Sequence, residues 1–163
     1  MKLPEIIPQK IYDLPGLMHQ VRRWRVMGKT IAFSNGCFDI LHQGHIASLS
    51  DAAREADQLI VGVNSDASTC RLKGPHRPVN NQDSRALLLA SLLMVDAVII
   101  FDEDTPLNLI NAILPDVLVK GGDYTLEQIV GAKEVMAAGG RVVINPIVPG
   151  FSTTGLIEKI HKL

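Results

Sequence analysis

The sequence predicts an α/β fold: a doubly wound parallel sheet of about five strands with helices on both faces. Apolar runs of strand length alternate along the chain with segments of helical periodicity. The apolar runs are nearly continuous rather than alternating, as expected for strands that are covered on both faces. With 163 residues and no internal repeat or low-complexity tract, the chain is expected to form one globular domain overall.

Five apolar segments are the predicted strands. In chain order they are residues 30–34, 59–64, 97–101, 117–120 and 141–147. Between them, helices are predicted from periodicity and from end signals. The first follows His45, and the second is capped by Asp83 and runs to Val95. The third, 107–113, is opened by Thr105 and Pro106, and the fourth runs from a capping box of Thr125 and Gln128 to Gly139-Gly140. The last helix, 153–161, is capped by Ser152.

The first 29 residues lie before the first predicted strand and are expected to be an extension to a domain of residues 30–163. Within the extension, Leu14-Pro15 starts a helix that has Leu17, Val21 and Trp24 on one face and ends near Gly28. We expect this helix to pack on the core or on a second subunit.

The composition argues against a nucleic-acid-binding protein, a membrane protein and a disulfide-rich secreted protein. The net charge of −1 gives no overall field for nucleic acid or an acidic membrane, so neither partner is expected. Two cysteines, Cys37 and Cys70, are too few for a disulfide scaffold. The N-terminus lacks the apolar core of a signal peptide, and the longest apolar stretch, residues 86–95, is about half the ~20 residues of a membrane helix. We therefore expect a cytoplasmic protein.

The most informative motif is His42-Gln43-Gly44-His45, which follows the first predicted strand. Two imidazoles three residues apart lie on one side of a helical turn. Gly44 leaves no side chain to block a ligand against the backbone. The free N–H groups and dipole of a helix that begins here favour phosphate. Phosphate contact is preferred over metal ligation, because no other histidine has a convincing spacing, and over capping or core roles.

Polar or glycine-rich sequence also follows other predicted strands. Asn64-Ser65-Asp66, Lys120-Gly121-Gly122-Asp123 and the loop entering Ser152 all fall at carboxyl ends. In doubly wound, Rossmann-like sheets, ligands bind at this edge, near the switch point of strand order. Ser152-Thr153-Thr154 supplies hydroxyl and N–H groups at a helix start, which suits a second phosphate site or a plain cap.

Several candidate residues have more than one interpretation. Cys37 is a nucleophile or, in the favoured interpretation, a thiol packed under the loop, and Asp39 orients a histidine, reaches a metal or caps the loop. The basic segment 71–78 is a solvated loop or, as favoured, a mobile clamp over phosphates. Arg85 covers a carboxylate or, as favoured, points into the site.

Taken together, these motifs resemble the nucleotidyltransferase superfamily with the His-x-Gly-His signature, in its cytidylyltransferase-like branch. The closest resemblance is to the D-glycero-β-D-manno-heptose 1-phosphate adenylyltransferases, in stand-alone form. It extends from about Thr30 to the end of the chain. The motifs that carry it are residues 35–45, 63–68, 71–74, 77–80, 104–106, 118–124 and 152–154.

The resemblance implies transfer of AMP from ATP to the heptose 1-phosphate, with Mg²⁺, for lipopolysaccharide core synthesis. It implies that His42, His45 and Lys73 are catalytic. The residues expected to bind nucleotide are Asn35, Gly36, Cys37, Phe38, Gly44, Arg85, Lys120, Gly121, Gly122, Asp123, Ser152, Thr153 and Thr154. Weaker candidates for the second substrate are Asp39, Asn64, Asp66 and Arg77. No protein metal ligand is expected, and a homodimer is expected.

Two positions depart from related patterns. Several superfamily members have an arginine after the Ser/Thr run, where this chain has Ile157, and Lys159 is a candidate replacement. Glycerol-3-phosphate cytidylyltransferases have an arginine before the run, near Ile147. Two alternatives stay open: a cytidylyltransferase or adenylyltransferase for another small phosphate, such as glycerol 3-phosphate, and a non-catalytic nucleotide-binding module.

Overall fold

A six-stranded sheet organises the computed structural model, which describes residues 3–146 and 149–162. All of its pairings are parallel, in the order β1-β4-β3-β2-β5-β6. The strands are β1 (Ile11–Tyr12), β2 (Ile31–Gly36), β3 (Gln58–Asn64), β4 (Ala97–Phe101), β5 (Val117–Gly121) and β6 (Arg141–Asn145). The strand order reverses beside β2, which pairs with β3 on one side and β5 on the other. The doubly wound fold predicted from the sequence is therefore confirmed.

Helices cover both faces of the sheet. They are α1 (Ile6–Gln9), α2 (Leu14–Val26), α3 (Gln43–Ala53), α4 (Asp66–Lys73), α5 (Gln82–Ala90), α6 (Leu107–Ile113), α7 (Ala132–Ala137) and α8 (Thr153–Ile160). One core contains residues of α2, α6 and α7, with Phe33 and Ile60 of the sheet. The second core, which contains other residues of the sheet, includes Leu49 of α3 and Leu89 of α5. No helix among the described residues is long and apolar enough to cross a membrane.

The N-terminal segment contributes a strand that sequence reasoning missed. Ile11 and Tyr12 pair with Val98 and Ile99 of β4. A strand of two residues is too short to show a hydrophobic period, which is why the pattern gave no signal. Leu17, Val21 and Trp24 of α2 are buried in the core of this chain.

Two helix caps, one helix end and one strand end differ from the prediction. Asn81, not Asp83, caps α5 by accepting from the Ser84 N–H at 2.8 Å, and α5 ends at Ala90, before a turn that leads to β4. Pro106 rather than Thr105 occupies the N-cap position of α6. The predicted strand 141–147 ends at Asn145, and Ile147 lies outside the described residues.

The predicted helix from Thr125 to Gly139 is interrupted. Its capping box is present, with the Thr125 N–H donating to Gln128 Oε1 at 2.9 Å, but it opens a single 3₁₀ turn, Leu126–Gln128. Gly131 then takes a φ of +86°, and a Cβ there would lie 2.5 Å from Ile110 Cδ1. Close packing of α6 and the left-handed glycine together break the helix, and α7 begins at Ala132.

Candidate active site

The two motif histidines lie where β2 passes into α3. His42 is the N-cap residue of α3 and has extended backbone, while His45 lies in the first turn. Their rings stack with centroids 3.9 Å apart and planes inclined by 23°. The ring of Phe38 packs edge-on against His45 at 5.4 Å. The histidines therefore form one rigid aromatic pair at the carboxyl edge of the sheet, next to its switch point.

Both rings are poorly solvated and electrically neutral near pH 7. Burial lowers the pKa of His42, and burial together with the neighbouring charge of His42 lowers the pKa of His45 to about 4. Neither Nδ1 atom, both buried, has a hydrogen-bond partner among the described residues. A phosphate oxygen would supply the hydrogen-bond partner that a neutral imidazole N–H lacks here.

The start of α8 lies against the histidine turn. A Cβ on Gly44 would lie 3.0 Å from His42 Cε1 and 3.3 Å from Phe151 Cβ. The Thr153 hydroxyl donates to the Ile40 carbonyl at 3.5 Å. Ser152 caps α8 through the Gly155 N–H, as predicted. The structure thus brings together the two helix starts, with Ser152, Thr153 and the exposed Thr154 beside His42 and Gly44.

The end of β5 forms the adjacent wall of the site. Val119 pairs with Ser34 of β2, and Lys120 pairs with Ile144 of β6 before β5 ends at Gly121. A Cβ on Gly121 would lie 2.8 Å from Ser48 Oγ on α3, which shows how closely the strand end approaches that helix. Gly122 has a φ of +130°, which favours glycine. Asp123 is exposed, and the Lys120 ammonium lies 5.6 Å from the centre of the Tyr124 ring.

The structure assigns Arg85 a different role from the one favoured by the sequence. Its side chain is fully buried and does not open into the site. Its guanidinium donates to the carbonyls of Cys37, Asn64 and Asn80 and to the Asp66 carboxylate. Arg85 therefore holds together the loops after β2 and β3 and the segment before α5. We correct the direct nucleotide contact expected of Arg85 to this positioning role.

Asp39 and Arg77 also bind each other rather than facing an open cleft. The Asp39 carboxylate is 1% exposed and accepts from Arg77 Nε, the Val79 N–H and the Asn80 N–H. Burial raises the pKa of Asp39, but these hydrogen bonds and the Arg77 charge outweigh it and the pKa is lowered. Direct substrate contact is corrected here too: of the alternatives for Asp39, the structure favours the loop cap.

Asn64 and Asp66 lie in the same buried network. The Asn64 amide donates to Ser68 Oγ at 3.0 Å, and its side chain is enclosed. Asp66 begins α4 and keeps a side chain 42% exposed beside its contact with Arg85. Asn80 belongs to one of the motifs of the resemblance but was given no role; it donates to Asp39 through its N–H and side-chain amide, and its carbonyl accepts from Arg85. An asparagine just before a helix is ordinarily interpreted as part of its cap, so the sequence carries no signal for such a role.

The basic segment is not a mobile loop throughout. Residues 66–73 form α4, which Ser65 caps by accepting from the Ser68 N–H. Arg71 pairs with Asp104 at 2.7 Å, and Arg77 is held by Asp39. The expected clamp of three cations is therefore reduced to Lys73, which is exposed and pairs with no carboxylate among residues 3–146 and 149–162.

Cys37 and two residues of the last helix, α8, are the remaining candidates from the sequence analysis. The half-buried Cys37 thiol lies 3.9 Å from Asn64 Oδ1, and the Cys37 carbonyl accepts from Arg85. On α8, Ile157 is half-buried and Lys159 is exposed. Of the predicted residues, the structure gathers His42, His45, Gly44, Phe38, Cys37, Lys120, Gly121, Ser152 and Thr153 around the histidine turn.

Comparison with known proteins gives curated relatives with high identity. A bifunctional protein HldE from Mesorhizobium japonicum is 55% identical over 151 residues, covering 93% of this chain and 30% of the relative. One from Hyphomonas neptunium is 57% identical over 149 residues, covering 91% of this chain and 31% of the relative. The chain therefore spans about a third of the length of these relatives.

Two solved structures share the fold. A lipopolysaccharide core biosynthesis protein from Thermoplasma volcanium has a TM-score of 0.58 and 30% identity, covering 74% of this chain and 98% of that one. A pantoate-beta-alanine ligase from Francisella tularensis, in complex with beta-gamma ATP and beta-alanine, has a TM-score of 0.60. The match covers 94% of this chain and 78% of the ligase. At 16% identity, the second likeness shows the fold alone.

The family match confirms the resemblance carried by the sequence motifs. The profile described as cytidylyltransferase-like covers residues 33–159, from the middle of β2 to the end region of α8. This range includes the histidine turn, the end of β5 and the start of α8. The chain belongs to the cytidylyltransferase-like family.

Proposed function

We propose that this chain is an adenylyltransferase that transfers AMP from ATP to D-glycero-β-D-manno-heptose 1-phosphate, giving ADP-heptose and pyrophosphate for lipopolysaccharide core synthesis. The observation that carries the proposal is the stacked, neutral pair His42 and His45 at one helix start, with a second helix start, at Ser152, against it. Family membership supports nucleotidyl transfer, and the likeness to the lipopolysaccharide core biosynthesis protein of Thermoplasma supports the biosynthetic context. The heptose substrate rests on the motif resemblance.

The proposed reaction needs charge stabilisation more than proton transfer. An oxygen of the sugar phosphate, already anionic, forms a bond to the α-phosphorus, and the bond between that phosphorus and the bridging oxygen breaks as pyrophosphate leaves. No general base and no covalent enzyme intermediate are required. Catalysis then consists of in-line positioning and of donors to the transferring phosphoryl group.

The histidine pair suits that role. A neutral imidazole carries one N–H donor, and rings held rigidly by stacking and by Phe38 lose little freedom when they bind a phosphate oxygen. The poorly hydrated environment strengthens each such bond. The N–H groups at the start of α8 and the hydroxyls of Ser152, Thr153 and Thr154 are proposed to hold the outer phosphates.

Mg²⁺ is proposed to enter with ATP. Among the described residues, no group of three His, Cys, Asp or Glu side chains could hold a metal ion, and the exposed Lys73 ammonium attracts phosphate rather than a metal ion. Mg²⁺ commonly binds through substrate phosphates together with few protein ligands. When bound, the ion would offset charge on the pyrophosphate. Activity should disappear with EDTA and return with added Mg²⁺.

The proposal is tested by pyrophosphate release with each nucleotide and each acceptor. ATP with the heptose 1-phosphate should support turnover, whereas CTP with glycerol 3-phosphate should not. The reverse pattern would favour a cytidylyltransferase. Tight ATP binding without pyrophosphate release from any acceptor would favour a non-catalytic nucleotide-binding module.

A homodimer and a cytoplasmic location are part of the same proposal. On α5 and the turn after it, Leu87, Leu88 and Leu93 are 46%, 47% and 97% exposed, which supports an apolar contact between copies. Light scattering of the purified chain should give twice the monomer mass, and Leu93→Asp should return it to the monomer. Cell fractionation checks the location.

A further inference from the structure

Phe38 has a backbone conformation that aromatic residues rarely adopt. Its φ of +49° lies in the left-handed region, where a bulky side chain is crowded against its own backbone. The ring is 9% exposed and packs edge-on against His45, with centroids 5.4 Å apart. A Cβ on Gly36 would lie 3.2 Å from Phe38 Cε2, so the ring also fits closely against the end of β2. Since φ sets the direction of the Cα–Cβ bond, this unfavourable conformation directs the Phe38 ring to the histidine turn.

Packing, rather than a hydrogen bond at Nδ1, orients the His45 ring. A histidine in a site is ordinarily oriented by a hydrogen bond at one of its ring nitrogens. Here His45 Nδ1 is buried and has no hydrogen-bond partner in the parts of the chain that the structure describes. The aromatic rings against it are His42, stacked at 3.9 Å, and Phe38. His42 lacks a partner at its own Nδ1, so Phe38 is the neighbour that holds the pair in place.

The residues on either side of Phe38 are held by contacts from other segments. The Cys37 carbonyl accepts from the buried Arg85 guanidinium. The Asp39 carbonyl accepts from Asn80 Nδ2 at 2.7 Å, and the Asp39 carboxylate accepts from the Asn80 N–H at 2.9 Å. A strained backbone persists only where its surroundings over-determine it. These contacts therefore keep Phe38 in the conformation that its own side chain disfavours.

The Asp39 carboxylate connects Phe38 to the segment between α4 and α5. Its side chain is 1% exposed and accepts from Arg77 Nε, and the Arg77 side chain is itself only 17% exposed. Loss of Arg77 would leave a buried carboxylate without its cation, which is costly enough to displace the loop that carries it. Because Phe38 is the adjacent residue, such a displacement would reach its ring directly.

We propose that Phe38 is a positioning residue for His45, and that the Asp39–Arg77 pair holds Phe38 in its left-handed conformation. The proposal rests on the proposed function, since His45 is the group that the others serve. Contact passes from Arg77 through Asp39 and Phe38 to the His45 ring, and this effect needs no contact of the first three residues with substrate. A donor stabilises charge in a transition state only when it is held in position before the reaction.

The first test is Phe38→Leu, with Phe33→Leu as the matched control. Phe33 is fully buried in the core that does not contain Phe38. Phe38→Leu should lower kcat by about 10- to 100-fold, the effect of a slightly misplaced catalytic group, while the KM for ATP stays within about twofold. Phe33→Leu should lower the unfolding midpoint but keep kcat within about threefold of wild type. A near-normal kcat in folded Phe38→Leu, or equal losses in both variants, would overturn the proposal.

The second test asks whether Arg77 acts through Phe38. Arg77→Met should lower kcat by about 5- to 50-fold, whereas Arg141→Met, the control, should leave it unchanged. Arg141 pairs with Glu55 and lies at the amino end of β6, the edge of the sheet opposite to the histidine turn. In the double variant of Arg77→Met with Phe38→Leu, the losses of activation free energy should be less than additive, because both changes disturb one contact. Fully additive losses would show that Arg77 does not act through Phe38.

A third readout, the chemical shifts of the His45 ring protons, does not depend on turnover. In the ligand-free protein the His42 and Phe38 rings shift these signals, which are assigned by their loss in His45→Gln. We expect them to move in Phe38→Leu and, in the same direction, in Arg77→Met. They should stay in place in Arg141→Met, and unmoved signals in folded Arg77→Met overturn the proposal. If wild type releases no pyrophosphate with any substrate, the proposed function fails, while these signals still decide whether the chain of contacts sets the His45 ring.

Discussion

Arg85 Nη2 lies 2.8 Å from Asp66 Oδ1, and the two ends of this ion pair differ in environment: the arginine side chain is fully buried, whereas the aspartate is 42% exposed. The same guanidinium donates to three backbone carbonyls from separate segments. The pair therefore connects α4, which carries Lys73 at its far end, to the loop that leads to His42.

Arg85→Met should lower the free energy of unfolding by about 2–4 kcal/mol, because it leaves three enclosed carbonyl acceptors without their donor. We also expect kcat to fall, since the loops that carry the site lose their common contact. Urea denaturation and steady-state kinetics measure the two effects. The control is Arg54→Met, whose ion pair with Asp51 is exposed and should contribute about 0.5 kcal/mol or less. Equal stabilities of the two variants would contradict the positioning role.

Asp39→Asn should destabilise the protein by about 1–3 kcal/mol, because the amide keeps one acceptor oxygen and turns an NH₂ donor toward the donors of Arg77, Val79 and Asn80. Since the folded pKa of Asp39 is lowered, its contribution is present above the ordinary value of 3.8 and is lost as pH falls through the folded value. Denaturation at about pH 7 and about pH 3 measures this. Asp51→Asn, at an exposed ion pair, is the control. A variant as stable as wild type at neutral pH would show that the network contributes little.

His45→Ala should reduce kcat by roughly 10²–10³, the usual effect of removing one donor to a developing oxyanion. Pyrophosphate-release kinetics under saturating substrates measure it. His19→Ala, at an exposed position on α2, is the matched control and should keep wild-type turnover. Near-normal kcat in His45→Ala would remove the histidine pair from the mechanism.

Acid should destabilise the ligand-free protein between about pH 6.5 and pH 4 through the same histidine. The pKa of His45 is near 6.5 in the unfolded chain and about 4 in the folded one, so the unfolded state binds more protons in this window. Stability then rises with pH across it. Denaturant titrations of wild type and His45→Gln should show a shallower pH dependence in the variant. Parallel profiles would mean that His45 is not held neutral.

Gly44→Ala should impair catalysis more than folding. The added methyl group would lie 3.0 Å from His42 Cε1 and Nδ1, so the ring must turn away from its stacked position. Alanine is otherwise favourable inside a helix, which limits the loss of stability. We expect a reduced kcat with an unfolding midpoint near that of wild type. Unimpaired turnover would show that the exact ring position is unimportant.

The sequence was most informative where chemistry and periodicity coincide. Continuous apolar strands predicted the parallel sheet, and the spacing of His42 and His45 around Gly44 predicted the turn that the structure shows. Partners distant in sequence could not be predicted. Whether Arg85 points into a cleft or is buried depends on carbonyls up to 48 residues away, at Cys37, Asn64 and Asn80. Every residue type has a backbone carbonyl, so the sequence does not indicate which carbonyls Arg85 will bind.

The short strand β1 has a consequence for any shortened version of this protein. Ile11 and Tyr12 occupy the outer side of β4, where they pair with the buried residues Val98 and Ile99. A chain that starts at residue 30 would leave β4 as an open sheet edge and would strip the α2 side chains from the core beneath it. Such edges recruit strands from other molecules. We expect that chain to aggregate when expressed, a liability that the first 29 residues suppress.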